Sequence, residues 1–169
     1  KQLDMLSRFG IRAYFGDATR PDMLHAAGLQ NAKIFIVAID GKEQITELVK
    51  YVHHHYPNLH VVARATDRNH VYDLWAVGAR DIIRETYDSS LRMGRSVFEA
   101  LGATRDQSQQ ISDAFNEIDR KGMLETASHY DPDIPMHENA AYVEKVRELS
   151  ASWEEGLGQQ INAILKNKA

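Results

Sequence analysis

A chain of 169 residues with 43% hydrophobic and 26% charged residues has the apolar material for one core, or a core with an extension. A formal net charge of −4, with Lys and Arg scattered among acids, argues against a nucleic-acid surface. With no cysteine there is no disulfide, no thiol nucleophile and no Cys-based zinc site, and no run approaches the roughly 20 apolar residues that span a bilayer.

Residues 1–9 read as the end of a helix, closed by Gly10 where a C′ glycine belongs. Ile11 to Phe15, through Tyr14, has strand character and runs into Gly16-Asp17-Ala18-Thr19, with Pro21 opening a short helix that Gly28 stops. Ile34 to Ala38 is a continuous apolar run, the mark of a strand buried on both faces of a parallel sheet. A helical pattern from Glu43 to about His55 turns Ile45, Leu48, Val49 and Val52 inward until Tyr56-Pro57-Asn58 resets the chain. Leu59 to Ala65 is the next strand, Asp67 caps a helix through Val71, Leu74 and Trp75, and Gly78 stops it. A short strand at Ile82 and Ile83 ends in Arg84-Glu85-Thr86, and a helix from Asp88 to Leu101 turns Leu91, Val97, Phe98 and Leu101 inward. Beyond Gly102 the alternation ceases. Asp106 to about Thr126 is helical, with Ile111, Phe115, Ile118 and Leu124 on one side, and so is Glu138 to Lys166, with a loop carrying Pro132 and Pro135 between them.

Strands alternating with helices at this spacing form right-handed βαβ units, which predicts an α/β fold: a Rossmann-like parallel sheet of four strands over residues 1–102, followed by an α-helical extension over 103–169. In such a sheet the loops Gly16–Thr19, Ile39–Gly41, Arg64–Asp67 and Arg84–Thr86 open on one edge, where ligands bind. Asp17 or Asp40 can accept from ribose hydroxyls or an adenine amine, and Arg64 and Arg84 can clamp a phosphate or carboxylate. The same Arg and Asp residues can equally pair with one another, and Asp17 and Thr19 can simply close a turn. His53, His54 and His55 point in different directions on a helix and do not converge on one ion. No Walker loop, nucleophile elbow or Ser-His-Asp order appears, so a binding module is favoured over an enzyme. Trp153 with Tyr142 and Val146 marks the terminal helix as an interface.

Taken in order, Arg8-Phe9-Gly10, Phe15-Gly16-Asp17-Ala18-Thr19, Ala26-Ala27-Gly28, Ala38-Ile39-Asp40, Tyr56-Pro57-Asn58-Leu59, Ala63-Arg64-Ala65, Ala76-Val77-Gly78-Ala79 and Arg84-Glu85-Thr86 resemble the regulatory domains called KTN or RCK. Within these they are similar to the Kef type of glutathione-gated potassium efflux protein, over residues 1 to about 102. The resemblance implies a cytoplasmic domain of an inner-membrane potassium/proton antiporter, homodimeric, binding AMP or NAD(H), with an ancillary oxidoreductase subunit as a further partner. It implies that Asp17, Ala18, Thr19, Ile39 and Asp40 hold the adenosine side of the nucleotide, with Arg64 nearby. The glycine-rich phosphate loop of the family is not in the sequence, so the chain is expected to be a truncated piece: either the missing strand, glycine loop, helix and second strand lie upstream of Lys1, or the fragment cannot close a nucleotide site alone.

For the Kef type the resemblance further implies a glutathione pocket near the dimer interface. There Arg84 pairs with a carboxylate of the tripeptide, Asp67 contacts its polar groups, and Phe9 is the aromatic that bulky adducts displace. Where the family carries an Asn ligand, an ungapped match gives Asp119, with Asn116 one turn earlier; an acid facing a carboxylate repels it. Two other functions stay open beside this one: a nucleotide-dependent oxidoreductase fragment, and an RCK module that senses only nucleotide or cation.

Overall fold

The computed structural model describes residues 2–13 and 15–166, which fall into two compact units, residues 1–84 and 85–169. The first unit opens with α1 (Gln2–Arg8) and α2 (Pro21–Ala26), then runs β1 (Ile34–Val37), α3 (Lys42–His55), β2 (His60–Ala65), α4 (Arg68–Ala76) and β3 (Asp81–Arg84). The strands form a parallel sheet in the order β1-β2-β3, as the βαβ alternation predicts. Asp67 caps α4 as expected, its Oδ1 accepting the His70 backbone N–H at 2.8 Å.

The pleat divides the sheet cleanly. Register pairs Phe35 with Val61, Val37 with Ala63 and Ala65 with Arg84. Side chains alternate across a strand, so these lie on one face, where Val37, Val61, Ala63 and Ala65 join Ile45, Leu48, Val49 and Val52 of α3 and Leu74 of α4 in the core. The other face is open, with Ile34 58% and Ile36 68% exposed. The expectation of a strand buried on both faces is therefore corrected: an apolar run records that both faces are apolar, not that both are covered.

The predicted first strand differs too. Tyr14 lies outside the described residues, and Ile11, Arg12, Ala13 and Phe15 are not in a strand. A strand exists only where a neighbour completes its ladder, and no described strand pairs with this stretch.

The second unit holds α5 (Tyr87–Ala100), α6 (Arg105–Ala127) and α7 (Ala140–Lys166). α5, grouped by its sequence with the sheet, here belongs with the two long helices. Its expected inward stripe is corrected in part, since Val97 and Leu101 are exposed at 57% and 78%, and the helix contains no fully buried residue. Phe115 and Leu124 of α6 are likewise exposed, whereas Ile111 is buried beside Ser108, Ser112, Asp119, Gly122 and Thr126. The buried seam of α6 is small and polar where the sequence suggested large and apolar.

α6 starts on a capping box. The Thr104 hydroxyl accepts the Gln107 N–H at 3.1 Å, and the Gln107 side chain accepts the Thr104 N–H at 2.9 Å. Thr104→Ala leaves the Gln107 N–H without its side-chain acceptor, and urea unfolding is expected to show a loss of about 1 kcal/mol.

Candidate functional site

The carboxyl ends of β1 and β2 meet at Arg64. This residue is the penultimate one of β2, and its guanidinium donates from Nη2 to the Ile39 carbonyl at 2.7 Å and to Asp40 Oδ1 at 2.9 Å. It thus fastens the loop that leaves β1 to the end of β2. Asp40 is fully exposed, so its charge adds little to stability, whereas the bond to the half-buried Ile39 carbonyl fixes the loop's path. Gly41 follows in a left-handed conformation, φ 90°, and a Cβ there would meet Gln44 Oε1 at 2.1 Å. The internal pairing of Arg64 with Asp40 left open by the sequence is what the structure contains.

The loop after β2 is fixed as tightly. Thr66 donates its backbone N–H to His70 Nδ1 at 3.1 Å, and the other ring nitrogen, Nε2, lies 3.0 Å from the Thr46 hydroxyl of α3. Lys42 of α3 pairs with Asp73 of α4 at 2.9 Å. Burial works against ionising Asp67, but the His70 N–H, Lys42 and the Thr66 hydroxyl outweigh it and hold the carboxyl below its usual range. His70 is fully buried, and burial first, then Lys42, lowers its pKa. The sequence reading passed over His70; its position four residues before buried Leu74, on the inward stripe of α4, was the available signal.

The Gly16–Thr19 loop closes on itself. Asp17 Oδ1 accepts both the Thr19 N–H at 2.9 Å and the Thr19 hydroxyl at 2.7 Å, and these bonds lower the Asp17 pKa. A carboxylate retains further lone pairs after such a turn, so acceptance from a ligand hydroxyl stays open to it. Thr19 and Pro21 face Glu43, Gln44, Glu47 and Tyr51 of α3 across an open cleft of about 380 Å³. Ala18 beside them is half-buried. The turn therefore stands against the first turns of α3, the helix that the Ile39–Gly41 loop introduces.

Arg84 ends β3 in register with Ala65. Because Ala65 and Arg64 alternate across the pleat, Arg84 falls on the covered face of the sheet and Arg64 on the open one. Two arginines that the sequence put in one pocket are thus on opposite sides of the same edge. Phe9, just after α1, is 73% exposed. Asn116 and Asp119 belong to the second unit, where Asn116 Oδ1 accepts from the Tyr87 hydroxyl at 3.1 Å and Asp119 is buried. Among the described residues no group of three His, Cys, Asp or Glu side chains could hold a metal, and no helix is long and apolar enough to cross a membrane. Of the three consecutive histidines, His53 lies against Gly78, and His54 meets His55 edge-on while His55 tilts against Tyr51.

Comparison with known proteins divides the chain at nearly the same place as its contacts do. Residues 1–85 match the TrkA-N domain family, and residues 89–166 match the potassium efflux system KefB C-terminal domain. A Shewanella denitrificans Kef CTD, described in AMP bound form, is 35% identical with a TM-score of 0.68, over 72% of this chain and 77% of that one. The TrkA-N domain of the inner membrane protein ybaL from Escherichia coli is 25% identical with a TM-score of 0.50, over 59% of this chain and 71% of that one.

Proposed function

Because the chain belongs to the TrkA-N domain family, continued by a Kef-type C-terminal domain, we propose that it is the ligand-binding regulatory module of a glutathione-gated potassium/proton antiporter. The nucleotide is AMP or NAD(H), seated on the open face of the strand-end edge, with Asp17, Ala18, Thr19, Ile39 and Asp40 along the adenosine and Arg64 setting the loop. One observation carries this reading: a single guanidinium ties the ends of β1 and β2 into one wall, in a chain whose Shewanella relative is described in AMP bound form. Glutathione is the second ligand, taken by Arg84 on the other face with Asp67 of the adjoining loop, and Phe9 is the aromatic that an adduct displaces. Asp119 is left out of this set, since an acid next to a tripeptide carboxylate would repel it, and so is Asn116, which belongs with it to the second unit and already accepts from the Tyr87 hydroxyl.

The module works as a homodimer beside the membrane part of the same protein. Support for a second copy comes from α5 and its C-cap, where Met93, Val97 and Leu101 recur every four residues and are all exposed, an apolar stripe with nothing of its own unit over it. Ligand control of efflux then follows if reduced glutathione and its adducts favour different arrangements of the two copies.

Calorimetry on the whole protein tests the assignment. Arg84→Ala is expected to weaken glutathione binding about tenfold, the loss of one charge-assisted carboxylate pair, and to leave AMP affinity unchanged. Unchanged glutathione affinity in that variant would remove Arg84 from the site. Binding of AMP with no binding of glutathione by the wild type would leave a nucleotide-only RCK module.

A further inference from the structure

The buried histidine at the start of α4 is the group the proposed binding scheme does not use. Its protonation state is legible from its partners. The Thr46 hydroxyl donates to the Lys42 carbonyl at 3.0 Å, so towards the ring it offers only lone pairs, and Nε2 must carry the hydrogen. The Thr66 backbone N–H can only donate, so Nδ1 must carry the lone pair. His70 is therefore a neutral imidazole of one tautomer, wedged between α3 and the loop after β2, with none of its surface exposed.

We propose that His70 is a positioning residue for the nucleotide edge: its neutral ring pins Thr66, and through Thr66 the Arg64–Asp67 segment, so that protonation of the ring releases the loop and weakens nucleotide binding. The inference rests on the nucleotide reading above. A proton on Nδ1 would set an N–H against the Thr66 N–H, two donors face to face, so the amide must move away if the ring is to donate instead to the Thr66 hydroxyl, 3.3 Å from Nδ1. Thr66 is next to Asp67, whose carboxylate caps α4, and two residues beyond Arg64, whose guanidinium holds Ile39 and Asp40.

The charged groups facing the ring are Lys42 and Glu43 of α3, Asp67 at the cap and Asp73 of α4. Lys42 opposes protonation and the three acids favour it, but burial is the largest influence and keeps the ring neutral. The direction in pH follows. An opened loop exposes the ring to water, where it titrates near its ordinary value of about 6.5. The closed loop keeps its full advantage above that pH and loses it as the pH falls below, down to the lower pKa of the closed state.

The test uses the whole protein with isotope-labelled backbone and histidine. Nuclear magnetic resonance between pH 8 and pH 5 follows the Thr66 amide and the His70 ring, while calorimetry follows AMP over the same range. His70→Asn is the companion variant, keeping an acceptor near the Nδ1 position that does not take a proton. The Thr66 amide of the wild type is expected to shift in step with the His70 titration. AMP affinity is expected to fall about tenfold more between the two pH values in wild type than in His70→Asn, a comparison that cancels the ionisation of the AMP phosphate. A Thr66 amide indifferent to pH, or an identical pH slope in the variant, overturns the proposal; the wild-type amide decides it even if the variant does not fold. Failure of AMP to bind wild type at any pH overturns the nucleotide reading instead, and the amide still rules on the positioning role.

Discussion

Arg64→Ala is expected to weaken AMP binding by about 10- to 100-fold. A hydrogen bond from a charged donor is worth roughly 1.5–3 kcal/mol, and this one to the Ile39 carbonyl sets the wall on which the proposed adenosine site is built. Two contrasts sharpen the expectation. Both bonds leave one nitrogen, Nη2, so Arg64→Lys, whose ammonium can donate to both acceptors but sits on a shorter side chain, is expected to recover only part of the affinity. Asp40→Asn keeps an acceptor in the same place, and because Asp40 is fully exposed its charge matters little to the loop, so stability should hardly change. Calorimetry with AMP on the three variants, alongside urea unfolding, separates a loop effect from general loss of structure. AMP affinity in Arg64→Ala within about twofold of wild type would mean that the edge is not the nucleotide site.

The parts of this scheme that could be read from sequence are those governed by local chemistry. Asp67 announces a helix start because a short acid before an amphipathic run has one obvious use, and the structure has that cap. The order of strands and helices in the first unit follows from apolar runs punctuated by glycine and proline. Quantities that depend on a partner strand or helix were not legible. Arg64 and Arg84 both stand at strand ends, and only the register that pairs Arg84 with Ala65 shows that they occupy opposite faces. Ile34 and Ile36 look like core because they are apolar, yet what lies over them is decided outside their own segment. Val97 and Leu101 carry the same ambiguity: a helical stripe fixes which residues share a face and says nothing about whether that face meets its own domain or another molecule. His70 was missed for the converse reason. A single histidine among apolar residues carries little signal until Thr46 and Thr66 are seen on its two nitrogens.

The second unit yields the strongest stability prediction, and its sign changes with background. Gly122 is buried in α6, and a Cβ added there would lie 2.0 Å from Cη2 and 2.2 Å from Cζ2 of Trp153 on α7. No side chain survives such a contact in place, so Gly122→Ala forces the indole out of its seat at an overpacking cost of about 1–3 kcal/mol. Against this, alanine favours a helix interior over glycine by about 1 kcal/mol. The overpacking is expected to win in wild type, giving net destabilisation. With Trp153→Ala the clash vanishes while the helical preference remains, so adding Gly122→Ala to that background is expected to stabilise the unit by about 1 kcal/mol. Urea unfolding followed by circular dichroism at one fixed protein concentration reads the difference, because the 23 residues of α6 and the 27 of α7 supply about half of the helical signal. Destabilisation of equal size in both backgrounds would show that Gly122 is not the slot that seats Trp153. The reversal would place the contact between α6 and α7 in one glycine, and explain why a helix otherwise lined with serine, threonine and aspartate holds a large aromatic at all.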